Sequence, residues 1–352
     1  MCAEESITRI RTALSKLGQK GKVSVMPDYF VDRLVRINSL DILVDSIKAK
    51  SAEGAGGSIR GVPQFEVKGG NAVNLGYTLA KFGANVHVIA IANSLPAEAL
   101  RSTFRGMSNS KLHIIEGKAG FTTSLEFEDA GRHVNVMISD AGDVQEFDGT
   151  RLLDEHWKAI GESQIVCVVN WAANKKGNAL CERVFSFARQ RGASTFFDPA
   201  DVSGQLENIL EFKKRILDER LVDTISLNEN ETRVLCKLLC DYNLPQHYSV
   251  EELKRAAFML SEIAGSRIDL HTNKLSISCL QDDIDSVDCH KVVQKTVTGA
   301  GDVWDAADVC GYLMGLSVED RLFFSNSAAG LYVSRETAES PTLDEVLAFL
   351  TK

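Results

Sequence analysis

The chain has 352 residues, of which 44% are hydrophobic and 25% charged, and its formal net charge is −9. That length buries one large core or two lobes, and that balance is the ordinary one for a soluble globular chain. The acidic charge excludes nucleic acid and an anionic membrane as main partners, while leaving room for a local basic pocket.

In chain order, Ile7, Ile10, Leu14 and Leu17 fall on one helical face and are followed by Gly18 and Gly21. The spacing predicts a short amphipathic helix, an N-terminal extension over 1–20 packed on the outside of the main body. With acids at Glu4 and Glu5 and no apolar signal core behind them, secretion is not expected. The stretch 22–31 reads as a first strand ending near Asp28 and Asp32. Ser- and Gly-rich sequence with short alternating runs over 40–67 reads as part of a small accessory sheet. Gly69-Gly70-Asn71 opens a helix that runs through Phe82 and stops at Gly83, and 85–92 is a strand. The segment 122–139 alternates around Asp129-Ala130-Gly131-Arg132, a hairpin turn that would pair with the accessory strands.

Beyond that point the pattern is regular. Strands are expected at 164–170, 194–198, 223–227, 267–270 and 275–280, and helices at 179–191 and 250–264, the latter ended by Gly265. Phe324, Ala328 and Leu331 mark one further helix face. Strands alternating with helices imply a mainly parallel sheet covered on both faces. The expectation is one α/β domain over 21–352, with a small β lid from about 36–68 and 118–140. The eight cysteines are scattered, Cys236 and Cys240 being the closest pair, and no CxxC occurs. That usage suits reduced thiols in a cytoplasm rather than disulfides or a zinc site. No apolar run is long enough to span a bilayer.

In open parallel sheets ligands sit beyond the carboxyl ends of the strands. Asp32, Asn170 with Trp171, Asp198, and Asn228 with Glu231 all fall at such ends. Asn228 and Glu231, three residues apart at a helix start, would suit a hydrated magnesium ion and a phosphate, or equally a capping box. The Gly69-Gly70 turn with Asn74 would let backbone approach a polyhydroxylated ligand, or be an ordinary turn with a buried Asn. Thr298-Gly299-Ala300-Gly301-Asp302 leads straight into a helical pattern. It would form a nest of exposed N–H groups for a phosphate with Asp302 as proton acceptor, or a plain helix start capped by that acid. His113 and His290 have no partner spacing for a metal. No GxxxxGK[ST] occurs, the Gly54-Ala55-Gly56-Gly57 cluster lacks a strand–turn–helix context, and Trp304 stands where a third dinucleotide glycine would fall.

These pieces, in this order, resemble the ribokinase/PfkB family of carbohydrate and nucleoside kinases, from about 22 to 341. The most specific match is Thr298–Asp302 with the family's TGAGD signature. Gly69-Gly70-x-x-x-Asn74, Asn228-x-x-Glu231 and the Asn-Ala-rich Ser325-Asn326-Ser327-Ala328-Ala329 match its other recurring motifs. The resemblance implies a ribokinase-like, Rossmann-type three-layer sandwich with a β-sheet lid that closes over the sugar and makes a homodimer contact. It implies Asp302 as catalytic base and the backbone of Gly299, Ala300, Gly301 and Asp302 as anion hole. Asp32, Gly69, Gly70, Asn74 and Asn170 would hold the acceptor. Asn228, Thr298 and Asn326 would serve the nucleotide, with Glu231 holding Mg2+ through water. ATP is the expected donor, with ADP left open.

Several positions depart from the family pattern. Thr296 stands where an Asp helps bind a monovalent cation, and 270–275 lacks the TxGxxG-like loop under the nucleotide. The HxE motif of ADP-dependent relatives is absent too, which favours ATP. Pro27, Phe30 and Asn170 replace residues usual in ribokinases, which argues against free ribose as acceptor. Lys175 and Lys176 would suit an already phosphorylated sugar, or be a solvated loop pair. The leading expectation is a magnesium-dependent sugar or nucleoside kinase. The alternatives are a sugar-phosphate kinase and a catalytically weak sensor that binds a sugar or nucleoside.

Overall fold

A computed structural model describes residues 3–54, 56–129 and 132–350. The large sheet has nine strands in the order β13-β12-β11-β10-β9-β8-β1-β4-β5. They are β1 Lys22–Met26, β4 Asn85–Ala92, β5 Ser110–Glu116, β8 Ile165–Val169, β9 Ser194–Asp198, β10 Thr224–Asn228, β11 Arg267–His271, β12 Leu275–Leu280 and β13 Asp283–Asp288. All neighbours are parallel except at one edge, where β12 lies antiparallel to β11 and β13. The lid is a separate sheet in the order β3-β2-β6-β7, made of β2 Phe30–Arg36, β3 Gln64–Gly69, β6 Gly120–Asp129 and β7 Arg132–Asp140.

The period-2 rule divides the large sheet between two cores. In β8, Val166 and Val168 face the core that holds the helices Gly177–Gln190 and Val250–Ala264. Ile165, Cys167 and Val169 face the opposite core, which holds the helices Asn71–Phe82, Ala300–Leu313 and Val318–Val333. Burial on both faces explains why these strands read as continuous apolar runs, and it builds the three-layer sandwich the sequence led us to expect. The N-terminal helix Ala3–Leu14 packs on the last two of those helices, with Ile10 and Leu14 buried and Arg9 paired to Asp320. No helix among the described residues is long and apolar enough to cross a membrane.

Two expectations are corrected. The stretch 22–31 is not one strand: β1 ends at Met26, and Phe30 already begins β2 of the lid. Pro27 lacks an N–H for the ladder, so pairing stops there and the chain leaves the sheet through Asp28 and Tyr29. The region 40–67 is not all accessory strand, since Leu40–Ala52 is a helix with no buried residue and only Gln64–Gly69 joins the lid. Its apolar positions contact little, so the pattern carried no core signal. The hairpin pairs Asp129 with Arg132, and Ala130 and Gly131 lie outside the described residues.

Candidate active site

Two helices that begin behind glycines meet at the carboxyl ends of the central strands. The first, Asn71–Phe82, starts at Gly70, whose φ of 89° disfavours any side chain. A Cβ on Gly69 would collide with the carboxyl group of Asp32, so the first glycine is required by close approach. Asp28 lies under this turn, fully buried, and accepts from Asn71 N at 2.9 Å, Ala72 N at 2.8 Å and Asn170 Nδ2 at 2.8 Å. Burial pushes Asp28 up to about 6 against the pull of those bonds. The same turn reaches two more acids: Asn71 Nδ2 donates to Asp198 at 3.3 Å and Asn74 Nδ2 to Asp302 at 3.0 Å.

The second helix, Ala300–Leu313, starts at Gly299 with φ 86°. The Tyr332 hydroxyl donates to Thr298 O at 2.7 Å and fixes the turn. Among the described residues no acceptor meets the N–H of Gly301 or Asp302. These open donors stand at the positive end of the helix dipole. Asp302, in the first turn, is 7% exposed. Burial first, then the charge of Asp198, and then those of Asp28 and Asp32, hold its carboxyl well above the ordinary range, while the Asn74 bond pulls the other way. Farther along the same helix Asp305 accepts from Ser226 Oγ at 2.5 Å, and Asp308 joins Asp269, Arg267 and Arg321 in a buried ionic cluster. That cluster anchors the helix to β11.

Asp32 projects from the lid strand β2 over Gly69 and beside Thr122, and is raised to about 6, mainly by burial. Its Oδ1 is buried without a hydrogen-bond partner among the described residues. An acceptor left empty at such a place is costly unless a ligand donor fills it.

Asn228 and Glu231 do form the capping box: Asn228 Oδ1 accepts from the N–H groups of Asn230 and Glu231, and Glu231 Oε2 accepts from Asn228 N at 2.8 Å. Glu231 is also 4% exposed and pushed up to about 9 by burial and then by the charge of Asp198. The capping reading is thus the observed one, in a pair whose carboxylate also feels the charge of Asp198. Mutual repulsion of oxygen donors is what a hard divalent cation relieves, and in this the residues fit Mg2+. No group of three or more His, Cys, Asp or Glu among the described residues is placed to cage a metal ion. Such an ion would lean on water and phosphate oxygens.

On the other side of Gly301 opens a cleft of about 1120 Å³ lined by Asn228, His271, Ala300, Trp304 and Asn326 among others. His271 lies tilted against Trp304 with ring centres 5.0 Å apart, and burial lowers it to about 4, so it is neutral. Asn326, expected to serve the nucleotide, is 2% exposed and has its amide committed within the protein. It accepts from Trp304 Nε1 at 2.9 Å and donates to the carbonyls of Val287 and Asp288. It therefore braces the wall. Asn170 likewise turns its Nδ2 to Asp28 and supports the first glycine turn from behind. Lys175 and Lys176 are exposed, with Lys175 at 3.6 Å from Glu146, as a solvated pair would be.

Asp28, Asp198 and Tyr332 are the residues that sequence reasoning did not assign. An acid just past a strand end and before a Gly-Gly turn was the available signal for Asp28. Asp198 was noted at its strand end, but its neighbours come from remote segments.

A family profile described as prokaryotic ketohexokinase matches residues 28–352. Among solved structures, ribokinase from Thermotoga maritima is 17% identical with a TM-score of 0.71, over 94% of this chain and 99% of that one. Adenosine kinase from Sinorhizobium meliloti is 17% identical with a TM-score of 0.72, over 94% and 99%. Ribokinase from Arabidopsis thaliana complexed with ribose and ATP is 16% identical with a TM-score of 0.71, over 95% and 99%. At these identities the likeness is one of fold. No curated protein sequence matches the chain.

Proposed function

The chain belongs to the prokaryotic ketohexokinase family, of the PfkB type, and is a carbohydrate or nucleoside kinase. We propose that it transfers the terminal phosphoryl group of ATP to a hydroxymethyl group of a sugar or nucleoside, with Asp302 as general base. The observation that carries this reading is the juxtaposition at one helix start: a buried carboxylate held by Asn74 beside the N–H groups of Gly301 and Asp302, which no acceptor among the described residues meets.

The acceptor hydroxymethyl lies against Asp302, and the empty Oδ1 of Asp32 takes a hydrogen bond from a second hydroxyl of the same molecule. Gly69 and Gly70 keep the floor of that pocket free of side chains, and Asn74 aims the Asp302 carboxylate. As the hydroxyl oxygen bonds to phosphorus, its proton passes to Asp302 and the bond to the departing nucleotide breaks. The N–H groups of Gly299, Gly301 and Asp302 receive the equatorial phosphoryl oxygens, whose charge is the main thing to be stabilised, while that of Ala300, expected among them, is held by Val297 O at 3.1 Å. Glu231 and Asn228, with Asp198 behind them, would hold Mg2+ through water. When bound, the ion supplies neutralisation of phosphate charge. Closure of the lid over Asp32 excludes water that would compete as acceptor.

The lid also exposes Phe121, Val136 and Ile138, which the strand register places together on the face opposite Asp32. We assign this face to a homodimer contact, and sedimentation equilibrium should return twice the chain mass. A monomer at all concentrations would refute it.

The test of the activity is a phosphoryl-transfer screen with Mg2+, offering ATP and ADP against ketohexoses, other hexoses, pentoses, nucleosides and pentose phosphates. Turnover of one unphosphorylated acceptor with ATP is expected, ketohexoses being the first to try. Binding of acceptors without turnover of any would contradict the kinase reading.

A further inference from the structure

Arg233 lies on the helix Glu229–Leu239 and lines the large cleft together with Asn228, Asn230, His271 and Lys274. Its Nε is buried and has no hydrogen-bond partner, the only arginine atom in that state among the described residues. Glu229, one helical turn earlier, is the ordinary partner for such an arginine. Here Glu229 accepts the Tyr248 hydroxyl instead. No carboxylate among the described residues pairs with the Arg233 guanidinium. In a chain with a net charge of −9, a half-buried fork of donors without an anion is an exception. It costs free energy unless a ligand anion meets it.

The surroundings say which part of a ligand that is. The N–H of Gly301 is open, and a Cβ there would lie 3.5 Å from the His271 ring at the end of β11. Past His271 the chain turns through Thr272-Asn273-Lys274 into β12, and Lys274 lines the same cleft as Arg233. Its ammonium lies 5.9 Å from the centre of the Tyr248 ring, with no acid on it among the described residues. The turn has no glycine, so no backbone nest forms there to hold phosphate. From Gly301 the cleft wall thus runs past a neutral histidine to two unpaired cations.

We infer that Arg233, assisted by Lys274, grips the phosphates of the donor that remain with the departing nucleotide, and so selects a polyphosphate over a bare nucleoside. The inference rests on the reading that this cleft holds the donor. A guanidinium suits the task because its planar fork bonds two phosphate oxygens at once, and Lys274 adds a point charge.

The test is calorimetric titration of ATP, ADP and adenosine, with Mg2+ present, into the wild type, Arg233→Ala and Arg233→Lys. Arg233→Ala should weaken ATP and ADP by about 10–100-fold, as loss of charge-assisted hydrogen bonds does, and leave adenosine within about two-fold. Arg233→Lys should recover part of the loss, since it keeps the charge and loses the fork. Equal weakening of adenosine and ATP would show a merely structural role and overturn the inference, as would an unchanged ATP affinity. ATP binding that depends on Arg233 without any phosphoryl transfer would sink the kinase reading and leave the grip standing. Transfer at an unaltered donor KM in Arg233→Ala would do the reverse.

Discussion

The helices Asn71–Phe82 and Ala300–Leu313 both begin behind a glycine at positive φ, and both aim their first turn at one acidic pocket. They differ in what meets their N–H groups. At the first helix a buried carboxylate from the chain itself, Asp28, accepts from Asn71 N and Ala72 N. At the second the donors of Gly301 and Asp302 meet no acceptor among the described residues, and the nearby carboxylate, Asp302, is turned to Asn74. A helix start that is already neutralised is a structural joint, whereas one left open next to a base is a place for a transferring anion. The same local grammar serves both ends, and only the fold assigns which one works.

The largest effect that would sharpen this contrast comes from the open end. Asp302→Asn should lower kcat by about 10²–10⁴-fold while the protein stays folded, because it removes the general base but no well-solvated charge. Steady-state kinetics beside a thermal melt reads both, and unchanged turnover would break the assignment. At the closed end the balance reverses. Asp28→Ala leaves two backbone donors and the Asn170 amide without their shared acceptor, and should cost about 1–3 kcal/mol in urea unfolding. Nucleotide affinity should hardly move, and a variant as stable as the wild type would show that the joint is not one.

A pH series acts on both ends together. Asp28 and Asp32 sit at about 6 against an ordinary 3.8, and Glu231 at about 9 against 4.5. The folded chain therefore holds protons that the unfolded chain releases, so their favourable contribution is complete below about 4 and is lost as pH rises through 6 and then 9. The melting temperature of the ligand-free protein should fall from pH 7 to pH 9, above the window in which the buried neutral His113 and His271 act in the opposite sense, and Mg2+ with nucleotide should reduce the fall. A rise over that range would contradict the burial of these acids. Smallest is an expected absence of effect. Thr296 replaces the acid that the family resemblance associates with a monovalent cation, and its hydroxyl donates to Arg335 O at 2.8 Å. Replacing sodium with potassium should leave turnover unchanged, and strong activation by potassium would show that the substitution is tolerated.

The alternating apolar runs, the glycine stops at Gly83 and Gly265, and the Thr298–Asp302 signature were legible in the sequence because each is a local rule. The exposed helix Leu40–Ala52 was not, since it buries nothing and leaves no core periodicity. The pocket was legible only in parts. Asp28 meets Asn170 across 142 positions and Asn74 meets Asp302 across 228, and no spacing announces such contacts. Asn326 shows the converse. Its place in a motif was readable, but its amide turned out to be engaged by Trp304 and β13, which only the packing decides.

The most direct test of the open helix start is a crystal structure with ADP, Mg2+, aluminium fluoride and the acceptor found by the screen. The planar fluoride should rest on the N–H groups of Gly301 and Asp302, with the acceptor hydroxyl between it and the Asp302 carboxylate. A fluoride seated at the start of the helix Asn71–Phe82, or away from Asp302, would contradict the account.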